Sequence, residues 1–173
     1  MSAERTPVPD NLKISLPDNY LIAIGKVCVV WGYLEWSIDS AITKFAGFEL
    51  TDYRAGIITA HMTWPLKMDI LSTLVDELRS EYPHLANFDQ IKPILKKAQD
   101  GRNTIIHAFW GCENGVVSIG RKTARGKLKT STRVITLTEI ETVTDDIGKA
   151  AAAMIKLVVN REEFAGHNFR AKG

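Results

Sequence analysis

The chain has 173 residues, a length that favours one domain built around a single hydrophobic core. Hydrophobic residues make up 45% and charged residues 24% of it, as is usual for a soluble globular protein. The formal net charge of +2 is too small to indicate a nucleic-acid-binding protein by itself, so the distribution of the charges matters more.

Cysteine usage and the character of the N-terminus indicate a soluble cytoplasmic protein. Cys28 and Cys112 lie far apart and form no CxxC motif, so we expect two reduced thiols and no disulfide framework. No cationic segment leads into a cleavable apolar run, and we expect no signal peptide. The most apolar stretch, residues 21–34, contains Lys26 and is shorter than the roughly 20 residues of a membrane-spanning helix, so we expect no membrane partner.

The N-terminal part predicts an extended arm followed by a long helix. Residues 1–17 contain three prolines and no apolar periodicity, which is typical of an extended arm, and residues 18–173 then form one helical domain. Asp18 is a candidate cap for a first helix over residues 18–46, which Gly47 would end.

The first helix carries an apolar stripe with one charged interruption. Its members follow an a/d series: Leu21, Ile24, Cys28, Trp31, Ile38, Ile42 and Phe45. Glu35 stands where this series requires an apolar residue. A carboxylate in that position costs several kcal/mol unless it is paired, so Glu35 either has a partner or lies near the surface.

Three further helices are predicted before the chain changes character. The second covers residues 52–62, and the third begins after Thr63, with a proline in its first turn where proline is tolerated. The fourth runs from about residue 87 to 107 or 108. Its apolar stripe is interrupted by Arg102, and Gly101 beside it allows another element to approach closely.

The remaining chain predicts a small β-region and a last helix. The Asn114–Gly115 dipeptide is a strong hairpin signal, and β-branched residues are enriched at 116–119 and 134–137, with a turn near Arg125–Gly126. The pattern Thr138-x-x-Glu141 is a capping box that would open the last helix. The predicted fold is all-α: an antiparallel up-and-down bundle of about five helices, with a β-hairpin or meander over about residues 111–137 before the last helix.

The two charges that interrupt the stripes have opposite signs. We therefore predict that Glu35 and Arg102 meet between the first and fourth helices, because an arginine fork binds a carboxylate through two hydrogen bonds. The alternative is two unrelated surface charges and a different helical register. A pair in this position would be structural, or would hold Arg102 rigidly for use on an anion.

Residues 102–107, with the sequence RNTIIH, resemble the R-x4-6-H motif of the HEPN superfamily. The longer run RNTIIHAFW is similar to the RNxxxHGxW form of bacterial members, except that Ala108 stands in place of the glycine. The segment VWGYLE, which ends at Glu35, and the order of the elements are also similar to that family, and the likeness covers residues 20–164.

The resemblance implies a homodimer in which two motif helices face one cleft. It implies a metal-independent endoribonuclease with Arg102 and His107 as catalytic residues, Asn103 and Glu35 in supporting roles, and RNA as substrate. Members of this kind serve as toxins or in antiviral defence, which implies an antitoxin or regulatory partner. Other members are catalytically silent and bind RNA, nucleotides or proteins, and a purely structural α-helical dimer is a third reading.

The chemistry suits these residues. If the neighbouring 2′-hydroxyl attacks the phosphate, a histidine can manage the protons and an arginine can stabilise the developing negative charge. Positions five apart lie about 140° apart around an ideal helix, so Arg102 and His107 meet only if the helix end is distorted or the arginine reaches round. A structural histidine that closes the helix is the alternative role for His107. No cofactor and no metal site are expected, because the other histidines form no ligand pattern.

A basic segment and a tryptophan are further candidates for RNA contact. The segment contains six basic residues and no acid: Arg121, Lys122, Arg125, Lys127, Lys129 and Arg133. On a hairpin they would form a cationic ribbon for RNA phosphates, or they keep an exposed hairpin soluble. Trp110 would stack on a base, or it is a packing anchor beneath the strands.

Overall fold

The computed structural model describes residues 16–123, 126 and 128–159. The predicted arm, except for its last two residues, lies outside this range, as do Arg125 and Lys127 of the basic segment. The helices and strands in chain order are α1 (Asp18–Phe45), α2 (Tyr53–Thr59), α3 (Trp64–Leu78), a 3₁₀ helix (Pro83–Asn87), α4 (Phe88–Ile106), β1 (Phe109–Glu113), β2 (Val116–Thr123), β3 (Lys129–Val134) and α5 (Leu137–Val158).

The described residues confirm a mostly helical protein with a small antiparallel sheet before the last helix. The three strands pair in the order β1-β2-β3, and the first hairpin turns at Asn114 and Gly115, both of which have positive φ. This backbone is the type I′ turn that an Asn-Gly pair favours. Gly126, with φ +76, lies between β2 and β3, where the second turn is predicted.

The last helix begins two residues earlier than predicted, because Thr136 and not Thr138 is its cap. The Thr136 hydroxyl accepts the Glu139 N–H at 3.3 Å, and the Glu139 carboxylate accepts the Thr136 N–H at 2.9 Å. Both threonines have the spacing of a capping box, but Ile135 is buried and still bonded to β2, so the chain enters the helix directly after it. The Thr136 N–H and the Arg133 guanidinium hold the pKa of the Glu139 carboxyl below its ordinary value of 4.5.

The end of α1 follows the prediction. Gly47 has φ +82 and donates its N–H to the Lys44 carbonyl, while Phe48 donates to the Thr43 carbonyl. This is the Schellman arrangement, in which a glycine adopts the left-handed conformation without a steric penalty. The start differs by one position, because Pro17 is the cap and Asp18 lies in the first turn.

The predicted apolar stripe of α1 is wrong in its first half and at Glu35, whereas Trp31, Ile38, Ile42 and Phe45 are buried as predicted. Leu21 and Cys28, which the a/d series predicts to be buried, are exposed. Leu34 is fully buried and takes the core position that the series assigns to Glu35. The buried face instead follows the series Ala23, Val27, Trp31, Leu34, Ile38, Ile42 and Phe45. A straight helix drifts by about 20° per heptad relative to a strict a/d repeat, so over 28 residues the buried series needs extra four-residue steps.

The opposite side of α1 is apolar and exposed. Ile22, Val29, Tyr33 and Trp36 recur at helical spacing there, and each is about three-fifths exposed. Because α1 is apolar on both sides, it passes a length and composition test for a membrane span, although a core helix of a soluble protein passes the same test. It is the one such helix among the described residues, and it is longer than the stretch of residues 21–34 considered above.

The core lies where α1 packs against α5, α4 and α3, with α4 also packed on α5. Gly101 permits the close approach of α4 and α5, because a side-chain Cβ there would lie 3.1 Å from a methyl of Val143. One face of the sheet adds Val117 and Ile119 to this core. The outer face carries Phe109, which is exposed. These contacts fix the end of α4 against α1 on one side and against the sheet on another.

Candidate functional site

The predicted catalytic residues meet at the end of α4. The helix ends at Ile106, and His107 is its cap, with φ −100° and ψ 11°. Because the backbone of His107 is no longer helical, the separation of about 140° that an ideal helix would impose between the Arg102 and His107 side chains does not apply. The Arg102 Nη1 lies 2.8 Å from the His107 Nε2, and the imidazole is exposed to solvent. Distortion at the helix end therefore resolves the geometric conflict found in the sequence.

The guanidinium of Arg102 binds both polar partners in the motif. Its Nη1 also donates to the Asn103 Oδ1 at 3.2 Å. A guanidinium has donors only, so the His107 Nε2 must accept, and a neutral imidazole in this contact carries its proton on Nδ1. The contact thus selects one tautomer of His107 and leaves its Nδ1–H to other partners.

Two tryptophans form a platform for the same guanidinium. The Arg102 Cζ lies over the Trp31 ring at 5.3 Å from its centroid, a cation–π contact. The Trp31 ring in turn packs on Trp64, with the centroids 4.4 Å apart and the planes tilted by 34°. Helices α1 and α3 therefore hold the arginine of α4 through a stack of aromatic rings. The sequence pattern places Trp31 on the apolar stripe of the first helix, and its contact with Arg102 was not predicted.

The predicted ion pair between Glu35 and Arg102 is wrong. Among the described residues no ion pair joins them, and the Arg102 head group is occupied by Trp31, Asn103 and His107 instead. The physical reason is the register of α1, since Leu34 takes the buried position and leaves Glu35 half-buried at the edge of the face.

A buried ion pair does join two helices, but through other residues. The Lys67 Nζ lies 2.7 Å from one carboxylate oxygen of Asp39 and 2.9 Å from the other, linking α3 to α1. Lys67 is only 7% exposed. This pair was not predicted from the sequence. This pair and the two tryptophans fasten the same two helices together, which supports the platform under Arg102.

The strands divide the basic segment between the two faces of the sheet. The register pairs Arg121 with Ser131 and Ile119 with Arg133, so both arginines stand on the face that packs toward α4. Lys122 stands on the outer face, with its Nζ 5.5 Å from the centre of the Phe109 ring. Of the basic residues that the structure describes, Lys122 is separated by the sheet from the others.

The two arginines differ in their partners. Arg133 donates to Glu139 at 2.6 Å and is engaged, whereas no ion pair of Arg121 occurs in the described part of the chain. Both side chains are exposed. Lys129 shares the face of Arg121, at the far end of β3.

Trp110 connects the sheet to the end of α4. Its indole N–H donates to the Ile105 carbonyl at 3.1 Å, and its ring is half-buried against the core. The bond satisfies one of the carbonyls left open by the last helical turn. This contact supports the packing role, because the polar atom of the indole is already used.

In the described ranges, no group of three or more His, Cys, Asp or Glu side chains is placed to hold a metal ion. Comparison with protein-family models, curated proteins and solved structures yields no match for this chain. The resemblance to the HEPN superfamily therefore rests on residues 102–110, on the segment VWGYLE that ends at Glu35 and on the order of the elements.

Proposed function

We propose that this protein is a metal-independent endoribonuclease of the HEPN type. One observation carries the proposal: Arg102 and His107, five positions apart, lie 2.8 Å apart at an exposed helix end. A cation and a titratable imidazole in contact, accessible to a large substrate, are the two groups that phosphodiester cleavage without a metal requires.

The proposed reaction begins with the 2′-hydroxyl of the nucleotide before the scissile bond. Its oxygen attacks phosphorus, its proton passes to the Nε2 of His107, and the bond from phosphorus to the 5′-oxygen breaks. The leaving 5′-oxygen takes up a proton from the protonated His107 of the second copy of the chain, and the products are a 2′,3′-cyclic phosphate and a 5′-hydroxyl. Arg102 stabilises the negative charge on the phosphorane oxygens.

Substrate binding must release His107 from Arg102, because the guanidinium occupies the nitrogen that would act as base. A phosphate is the stronger partner for a guanidinium, since the contact is charge-assisted on both sides. We propose that the phosphate draws the guanidinium away from Nε2 while Trp31 continues to support it. Asn103 then binds the phosphate or orients the imidazole. Glu35 would support the site from the adjacent surface of α1, not through an ion pair with Arg102.

One histidine does not easily serve as acid and base in one turnover, and two copies of the chain supply two. We propose a cytoplasmic homodimer whose contact includes the outer face of α1. From Ile22 to Trp36 this apolar face extends over roughly 21 Å at 1.5 Å per residue. The same proposal includes an arrangement of the helices as an antiparallel up-and-down bundle. It also includes a role as a toxin or in antiviral defence, with an antitoxin or regulatory partner.

The second candidate is a catalytically silent HEPN-like dimer that binds RNA, a nucleotide or a protein. The observation that favours it is the closed contact between Arg102 and His107, which leaves no free lone pair on Nε2. A site that stays closed with RNA bound would position a ligand without cutting it.

The deciding experiment incubates the purified protein with a mixture of RNAs in EDTA, beside Arg102→Ala and His107→Ala. The matched control is His61→Ala, which removes another exposed histidine that lies outside the motif. We expect cleavage with cyclic-phosphate ends by the wild type and by His61→Ala alone. Equal inactivity of all four proteins on a broad RNA panel would refute the enzyme and favour the silent dimer.

The dimer is tested separately by sedimentation. Trp36→Glu places a charge in the apolar face of α1, and Lys149→Glu makes a comparable change at an exposed position of α5. We expect Trp36→Glu to sediment as a monomer and to lose cleavage, while Lys149→Glu stays dimeric. A wild-type monomer with full cleavage activity would contradict this part of the proposal.

A further inference from the structure

A crevice of about 150 Å³ lies between the last turn of α4 and the sheet. Thr104 and Ala108 line it from the helix end, Ile119 and Arg121 from β2, and Ser131 and Arg133 from β3. Ala108, which lines the crevice just past the end of α4, directly follows His107 in the chain.

The strand register explains why this crevice is apolar at its floor and polar at its rim. Ile119 and Arg133 are partners across β2 and β3, and so are Arg121 and Ser131, which puts all four side chains on the face toward α4. Ile119 is buried, and Ala108 packs against the core. The arginines and the hydroxyl of Ser131 remain exposed at the rim.

The rim offers specific polar groups to a ligand. Arg133 is engaged by Glu139, so Arg121 contributes the charge without an ion pair in the described part of the chain. The Ser131 hydroxyl makes no hydrogen bond to another described residue and offers one donor and two acceptor positions. The Thr104 hydroxyl donates to the Asp100 carbonyl at 2.8 Å, which leaves its oxygen able to accept.

The volume of the crevice matches one six-membered ring. A cavity of about 150 Å³ holds one six-membered aromatic ring, as with benzene in an engineered apolar cavity. A pyrimidine base has one such ring, whereas a purine carries a second, fused ring. Proteins read single-stranded RNA by stacking its bases on a side-chain surface, usually aromatic or an arginine plane, and by hydrogen bonds to the base edges. Here Ile119 and Ala108 supply an apolar surface without an aromatic ring, and the hydroxyls supply the hydrogen-bonding groups.

We propose that this crevice binds the base of one pyrimidine nucleotide in single-stranded RNA, beside the phosphate held at Arg102. The base lies against Ile119 and Ala108, Ser131 bonds its edge, and Arg121 binds the adjoining phosphate. The inference rests on the proposed function for its position next to the cleaved bond, and it adds a preference for pyrimidine at that position.

The test measures binding separately from cleavage. Labelled 2′-O-methyl oligo-U and oligo-A, which lack the attacking hydroxyl, are titrated with the wild type by fluorescence anisotropy. Ser131→Leu fills the crevice, and Thr130→Leu makes the same type of change on the adjacent residue, which faces the other way. Arg121→Gln and Lys122→Gln form a second matched pair for charge, with circular dichroism to verify folding of each variant.

We expect the wild type and Thr130→Leu to bind oligo-U at least fivefold more tightly than oligo-A. Ser131→Leu reduces this preference to less than twofold, and Arg121→Gln weakens oligo-U more than Lys122→Gln does. Equal affinity of the wild type for both oligomers, or a preference unchanged in Ser131→Leu, overturns the proposal.

A monomer titration separates a base from a phosphate as the bound group. With UMP we expect NMR shifts at the Thr104 and Ser131 amides that inorganic phosphate at the same concentration does not produce, and identical shifts would identify an anion site and refute the inference. The two proposals also fail independently. A uridine preference without cleavage refutes the enzyme alone, whereas cleavage with no preference for either base refutes the crevice alone.

Discussion

Removal of Lys67 from its ion pair with Asp39 should destabilise the protein, and Lys67→Met tests this effect. Methionine keeps most of the side-chain volume and removes the charge, so the loss is electrostatic and not a cavity. Removing one partner of a fully buried pair costs about 3–5 kcal/mol, because the other charge is left without compensation. Side-chain exposure is 8% for Lys67 and 29% for Asp39, so water reaches the remaining carboxylate. We therefore expect Lys67→Met to lower the free energy of unfolding by about 2 kcal/mol, which is below that range.

Urea denaturation at neutral pH measures the loss, and Lys96→Met is the matched control. Lys96 pairs with Asp100 at the surface, where the side chains are 66% and 60% exposed. Exposed pairs of this kind contribute less than about 1 kcal/mol. In thermal unfolding, about 2 kcal/mol corresponds to roughly 4–8 °C for a domain of this size. If Lys67→Met costs no more than Lys96→Met, the pair does not act as a buried contact and the reasoning fails.

Three further predictions address the platform, the capping box and the helix contact. Trp31→Leu removes the ring beneath the catalytic guanidinium, and we expect RNA cleavage to fall at least tenfold while binding of 2′-O-methyl RNA changes less than threefold. Glu139→Gln should destabilise the protein at neutral pH. Because the folded pKa of Glu139 lies below 4.5, the carboxylate's contribution is complete above that pH and is lost as the pH falls through the folded value, so the variant and the wild type converge in acid unfolding curves. Gly101→Ala should destabilise by about 1 kcal/mol, since a Cβ there lies 3.1 Å from Val143, but should stabilise a Val143→Ala protein, where only the gain in helix propensity remains. Urea denaturation of the wild type, the two single variants and the double variant measures whether the effect of Gly101→Ala on the free energy of unfolding changes sign.

Features set by neighbouring residues could be predicted from the sequence alone. Gly47 ends α1, Asn114 and Gly115 form the first hairpin turn, and a capping box opens the last helix, although the chain offers two candidates for it. Each depends on backbone conformations and hydrogen bonds within a few residues, so the signal lies inside a short window. The proximity of Arg102 and His107 is also a local feature. Their spacing brings them together because α4 ends between them, at Ile106.

The pairing of charges was decided by tertiary structure. Because α1 is apolar on two sides, its sequence does not specify which side faces the core, and a strict a/d series selected Glu35 where the packing buries Leu34. The choice depends on α5, α4 and α3 together, which are distant in sequence. The same packing buries Lys67 against Asp39 and leaves Arg102 to the tryptophans.

The sequence thus determined the order of the elements, most of their ends and the residues of the motif at the end of α4. Only the tertiary structure decided what surrounds that motif: the aromatic platform beneath Arg102 and the crevice lined by Thr104 and Ala108. The physical reason is the range of the interactions. Caps and turns are satisfied locally, whereas burial is a property of surfaces that meet only when distant helices and strands pack together.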